Sequence, residues 1–173
     1  EIVIGAAQMG AIQRADPREA VVARMLALLD QAKSAGCTLV VFPELCLTTF
    51  FPRWMMEDQA EVDTWFETAM PNPATQPLFD RSAMAGVVIS IGYAELTPDG
   101  HHYNTAILVD KGEIIGKYRK IQLPGHSEHD PKRPWQHLEK RYFEPGDITW
   151  PVWRCKDGIL GRGLCNDRRW LAT

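Results

Sequence analysis

Cys37-Thr-Leu-Val-Val-Phe-Pro-Glu44 is a short apolar run rich in β-branched residues, closed by proline and a carboxylate. It reads as a buried strand. Upstream, Asp16-Pro17-Arg18-Glu19 has the composition of a helix start: Asp16 as N-cap, Pro17 in the first helical position and Glu19 where a capping box wants an acid. Val21, Val22, Met25, Leu26 and Leu29 then recur on one helical face, and Gly36 ends the helix. Further back, Glu1 to Gln8 is a second apolar run of strand character. Two continuously apolar strands around an amphipathic helix make a βαβ unit, hence an α/β fold with a covered parallel sheet.

Downstream, Thr48 to Pro73 mixes Phe50, Phe51, Trp54, Trp65 and Phe66 with acids. The pattern predicts a loop and then a helix from about Glu57 to Ala69, either a surface helix with an apolar face or a lid over a substrate. A short helix is expected over Gln76 to Ala85 and a strand over Gly86 to Leu96. A hairpin follows, from Tyr103–Asp110 and Glu113–Tyr118 around Lys111-Gly112. Regular patterning fails from Ile121 to Thr149, where prolines and glycines interrupt it; a loop of that length is uncommon unless it functions. His126, His129 and His137 lie in it, and for the first two a solvated loop is as good a reading as a site. A last strand runs from Gly158 to Leu164 and stops at Cys165.

Composition narrows the function. The 173 residues carry a net charge of −3, 45% hydrophobic and 24% charged residues, one domain's worth of ordinary globular chain. There is no basic field for nucleic acid. No stretch reads as a signal peptide or as a membrane span. Cys37, Cys46, Cys155 and Cys165 form no C-x-x-C pair, and none has zinc-ligand spacing to a histidine. Reduced thiols in a cytoplasmic protein, with no metal, are the expectation.

The chemistry-bearing residues stand at strand ends. Glu44 follows one strand, Lys120 ends another in Lys117-Tyr-Arg-Lys120, and Cys165 ends a third. In open α/β sheets that is where ligands bind. On one sheet edge, a carboxylate can take the thiol proton, and an ammonium can lower the thiol pKa and hold an oxyanion. Singly, each has a plainer reading: a surface charge, a solvated strand end, a core cysteine.

Together, Val41-Phe-Pro-Glu44, Lys117-Tyr-Arg-Lys120-Ile-Gln-Leu-Pro124 and Leu164-Cys-Asn-Asp167 resemble, in order, the three motifs of the nitrilase superfamily of carbon–nitrogen hydrolases. Leu47-Thr-Thr-Phe-Phe-Pro-Arg-Trp54, Leu123-Pro-Gly-His126, Gln136 to Asp147 and Cys165 to Trp170 are most similar to its branch acting on N-carbamoyl-D-amino acids. The resemblance implies an αββα sandwich, with Glu44 as general base, Lys120 as oxyanion stabiliser and Cys165 as nucleophile. It implies Glu139 as a second glutamate orienting Lys120 or the substrate amide, with Glu144 the competing choice. It also implies Arg168 and Arg169 as a clamp on a substrate carboxylate, His137 as pocket lining and Asn166 beside the nucleophile as a substrate contact. Two adjacent arginines beside a nucleophile suit an anionic substrate.

The implied partner is a small-molecule N-carbamoyl amino acid, with no cofactor, no metal, no nucleic acid and no membrane, in a homo-oligomer. The same triad would serve an amidase, a nitrilase or a β-ureidopropionase, or persist in a non-catalytic module. Gln122 departs from the pattern, standing where histidine is usual. The sandwich needs further strands and helices after the nucleophile. The chain is therefore expected to be the N-terminal part of a longer domain, with an uncovered sheet edge and an exposed apolar face.

Overall fold

The computed structural model describes residues 2–133, 135–147, 149–156 and 158–170. Five strands, β1 (Ile4–Ala6), β2 (Leu39–Val41), β3 (Val88–Leu96), β4 (His102–Asp110) and β5 (Glu113–Arg119), form one sheet in chain order. β1, β2 and β3 pair in parallel, and β3–β4 and β4–β5 are antiparallel. The helices α1 (Arg18–Ser34) and α3 (Gln76–Ala85) cover one face. There Val21, Val22, Met25, Leu29, Leu78 and Phe79 pack on Val40, Ile89, Ile91, Ile107 and Val109. The other face receives a separate hairpin, β6 (Val152–Cys155) and β7 (Gly158–Gly161), through Leu39, Val88 and Leu108 against Cys155, Trp153 and Leu160. β3 is thus buried on both sides from Val88 to Glu95, which is why it has no solvent-facing polar row. The hairpin turns Val152 and Ile159 outward, 63% and 62% exposed.

α1 begins one residue later than its sequence suggests. Pro17, extended at φ −71° and ψ 155°, occupies the N-cap position and makes no side-chain cap bond. Asp16 is not the cap: its carboxylate accepts from the Gln13 N–H at 3.0 Å and from Arg24 at 3.1 Å, binding the preceding loop instead. At the other end Gly36, at φ +81°, takes the left-handed conformation expected of a stop.

The helix expected over Glu57 to Ala69 shrinks to α2 (Gln59–Asp63), capped by the Asp58 carboxylate. Two tertiary demands end it. Trp65 and Phe66 must reach the buried Phe51 ring, at 5.6 and 5.5 Å between centroids. The Glu67 N–H must reach the Ala94 carbonyl at 2.7 Å. The aromatic stretch is therefore a second core. Phe51, Trp65 and Phe66 pack with Tyr142 and Phe143 near α4 (Glu139–Tyr142). The Tyr142 hydroxyl donates to the Trp54 carbonyl at 2.7 Å and accepts from the Met56 N–H at 2.9 Å.

Glu95, at the end of β3, ties the three antiparallel strands together. It accepts from Lys117 at 2.6 Å, Thr105 at 2.6 Å and Arg119 at 2.9 and 3.0 Å. Burial alone would push this carboxyl up, but the guanidinium, the ammonium and the hydroxyl outweigh it and hold it at about 2. A folded value below the ordinary carboxylate range means that the contribution is complete above that range and is lost as pH falls towards 2. Glu95→Gln is expected to lose up to roughly 3 kcal/mol at neutral pH, and to lose little at pH 2. Urea unfolding at the two pH values measures both.

Candidate active site

Glu44 stands in the turn after β2, seated on Gly92 of β3. The Cys46 N–H donates to the Gly92 carbonyl at 2.9 Å. A Cβ at Gly92 would lie 2.8 Å from the Pro43 carbonyl oxygen and 2.9 Å from the Glu44 Cα, both backbone atoms. Only glycine lets the turn sit this low. Gly92→Ala is expected to lift Glu44 and reduce turnover by about 100-fold, as an ångström-scale misplacement does. A stability loss of about 1–3 kcal/mol should accompany it. Steady-state kinetics alongside thermal unfolding would measure the two effects.

Lys120 follows β5 and is fully buried. Its main chain is held from both sides: its N–H donates to the Asn104 carbonyl at 2.8 Å, and its carbonyl accepts from Gly146 at 2.8 Å. The ammonium donates to Glu44 Oε1 at 2.6 Å and to Glu139 Oε2 at 2.7 Å. Burial opposes its charge, yet the two carboxylates prevail and hold its pKa above the ordinary lysine value. Glu139 is itself buried, and its second oxygen meets the His137 Nε2 at 2.8 Å. Of the two glutamates the sequence leaves open, Glu139 is the one that meets Lys120. Glu144 lies on the surface, where its carboxylate meets His101 Nδ1 at 2.9 Å.

Cys165 is exposed and adopts φ +45°, a left-handed conformation rare outside glycine. Three residues separate it from β7, and it opens a 3-10 turn over Cys165–Arg169. The sequence places Glu44, Lys120 and Cys165 on one edge of one sheet. Glu44 and Lys120 do share the edge of the main sheet, whereas Cys165 arrives from the two-stranded sheet packed across it. β-Hairpin pairing is local, so β7 pairs with β6 rather than joining the larger sheet.

The strained turn is secured by Asp167, fully buried. Its carboxylate accepts from the Leu164 N–H at 2.7 Å, the Tyr118 hydroxyl at 2.8 Å and the Gln122 N–H at 2.9 Å. The Asn166 side chain donates to the Gln122 carbonyl at 3.1 Å, so its amide braces the loop after Lys120. Arg168 and Arg169 are exposed beside the turn, and neither has an ion-pair partner among the described residues. His137 meets the Phe50 ring edge-on at 5.3 Å.

The thiol departs from expectation in one respect. Burial and the charges of Glu44 and Glu139 push its pKa up, Lys120 pulls it down, and the net direction is up. A protonated resting thiol needs a base beside it, and Glu44 is in that place. Residues that sequence reasoning did not single out are Gly92, Asn104, Tyr118 and Asp167. A glycine and an asparagine inside otherwise apolar strands are the signals that could have marked the first two. Among the described residues, no group of three or more His, Cys, Asp or Glu is placed to hold a metal ion. No helix among them is long and apolar enough to cross a membrane.

Comparison with known proteins decides the family, since the carbon–nitrogen hydrolase family model matches residues 3–171. The chain belongs to the carbon–nitrogen hydrolases. It is 35% identical over 143 residues to a nitrilase of Pyrococcus abyssi, covering 81% of this chain and 47% of the relative. To N-carbamoylputrescine amidase of Solanum lycopersicum it is 27% identical over 144 residues, covering 82% and 43%. In structure it is similar to a carbon–nitrogen hydrolase of Helicobacter pylori, with a TM-score of 0.76 and 25% identity over 98% of this chain and 53% of that one. The chain thus spans about half the length of these relatives. The layered α/β architecture is that of the nitrilase fold, and it covers about half of the solved Helicobacter pylori chain.

Proposed function

We propose that the protein hydrolyses N-carbamoyl-D-amino acids to the D-amino acid, carbon dioxide and ammonia. The observation that carries this reading is the buried Lys120 ammonium clamped between Glu44 and Glu139, with the Cys165 thiol within the electrostatic reach of all three. Glu44 takes the thiol proton as Sγ attacks the carbamoyl carbon. Lys120 Nζ and the Asn166 backbone N–H hold the resulting oxyanion. Glu44 returns the proton to the departing amino nitrogen, leaving a carbamoyl group on sulfur. It then takes a proton from water, which attacks the same carbon, and the thiol is regenerated as carbamate leaves and breaks down to carbon dioxide and ammonia. Glu139 keeps Lys120 aimed and charged.

Arg168 and Arg169, without an ion-pair partner among the described residues, suit the α-carboxylate, while His137 and Asn166 complete the wall. The carbamoyl-directed relative from Solanum lycopersicum supports this substrate class. The nitrilase relative supports a second reading, attack on a nitrile by the same thiol.

Ammonia release from N-carbamoyl-D-phenylglycine, its L-isomer, phenylacetamide and phenylacetonitrile separates the possibilities. Preference for the D-carbamoyl compound, with KM raised about tenfold or more by Arg168→Leu, is the expected result. Turnover of the nitrile alone would give the second reading. No turnover of any substrate, with Cys165 no more readily alkylated than Cys37, would point to a non-catalytic module.

A further inference from the structure

Asn104 lies in β4 with its side chain fully buried, where a strand interior has no general use for a carboxamide. Its Nδ2 donates to Glu44 Oε1 at 2.7 Å. The same oxygen accepts from Lys120 Nζ at 2.6 Å, and the Lys120 N–H donates to the Asn104 main-chain carbonyl at 2.8 Å. One residue therefore fixes the backbone of the lysine and the side chain of the glutamate. The amide cannot be turned over, because its oxygen would then face the carboxylate. As it stands, Oδ1 is buried and has no hydrogen-bond partner among the described residues. A buried acceptor left unpaired is unfavourable, so the site retains this amide for what its other end does.

We propose that Asn104 is a positioning residue: with Lys120 it saturates Oε1 of Glu44 from two sides, so that the second carboxylate oxygen is the one presented to the Cys165 thiol. The inference rests on the reading of Glu44 as the base. A carboxylate held at one oxygen cannot rotate away from the thiol, and it stays an acceptor there because both donors are spent on the other side. Asn104 touches no reacting atom in this scheme. Its effect belongs in the chemical step and not in substrate binding.

The test compares Asn104→Asp and Asn104→Ala with the parent protein in turnover of N-carbamoyl-D-phenylglycine, and in the alkylation rate of Cys165 by iodoacetamide at neutral pH. Asn104→Asp conserves shape but replaces the donor by an acceptor. The expected result is a fall in kcat of about 100-fold with KM within threefold, and Cys165 alkylation slowed at least fivefold in both variants, with thermal unfolding of Asn104→Asp confirming a folded protein. Glu44→Gln is the reference for complete loss of the base. If Asn104→Asp retains kcat and alkylation rate within twofold of the parent, Asn104 only fills space and the inference is overturned. If instead the parent shows neither turnover nor an alkylation rate at Cys165 that depends on Glu44, the proposed function fails, and this inference fails with it.

Discussion

Cys165→Ala is expected to lower turnover by about four orders of magnitude or more while leaving stability within about 0.5 kcal/mol of the parent. The two halves of that expectation come from different features. The loss of activity follows from the position of the thiol, beside the proposed base Glu44 and within the field of the buried ammonium. The small change in stability follows from exposure: Cys165 is outside every core cluster, and its turn is held by Asp167. Removing Sγ leaves the Asp167 bonds to Leu164, Tyr118 and Gln122 in place. Single-turnover kinetics and urea unfolding of the same preparation would measure both. Retained turnover would show that another group attacks the substrate.

Lys120→Met should be the most damaging single change to stability and activity together. The side chain is of similar volume, so packing survives, but Glu44 and Glu139 lose the cation between them. Breaking a buried ion pair by removing one partner costs about 3–5 kcal/mol, because the remaining charge is left uncompensated. Here two carboxylates remain, one of them fully enclosed. They would be driven to take up a proton, which would remove the base proposed for Cys165. The double variant Lys120→Met with Glu139→Gln should recover about half of the lost stability and none of the turnover. Denaturant unfolding at neutral pH measures the first effect, and ammonia release below the unfolding transition measures the second. Recovery of activity in the double variant would remove Lys120 from the chemistry.

Much of this was legible in the chain itself, for reasons that differ element by element. The α1 stripe, the Gly36 stop, the β3 run and the Lys111-Gly112 turn are local: each is decided by periodicity, backbone freedom or turn chemistry within a few residues. So were the positions of Glu44 and Lys120, since a polar residue just past an apolar strand is a residue at a sheet edge. The α2 helix was overestimated because its acids and aromatics have helical spacing, while the distant Phe51 and Ala94 demand a different path. Asp16 failed as a cap because Arg24 and the Gln13 N–H compete for the same carboxylate.

The sequence by itself determined the residue types of the site, their order and the α/β class, because those depend on short-range pattern and on side-chain chemistry. Only the tertiary structure decided that Cys165 comes from a second sheet, that Glu139 is buried against Lys120 while Glu144 lies at the surface, and that Gly92 seats the Glu44 turn while Asn104 donates to its carboxylate. It also set the direction of the thiol pKa, which depends on how deeply the group is buried and on which charges lie nearest. Those are sums over neighbours far apart in the chain, and no local pattern carries them.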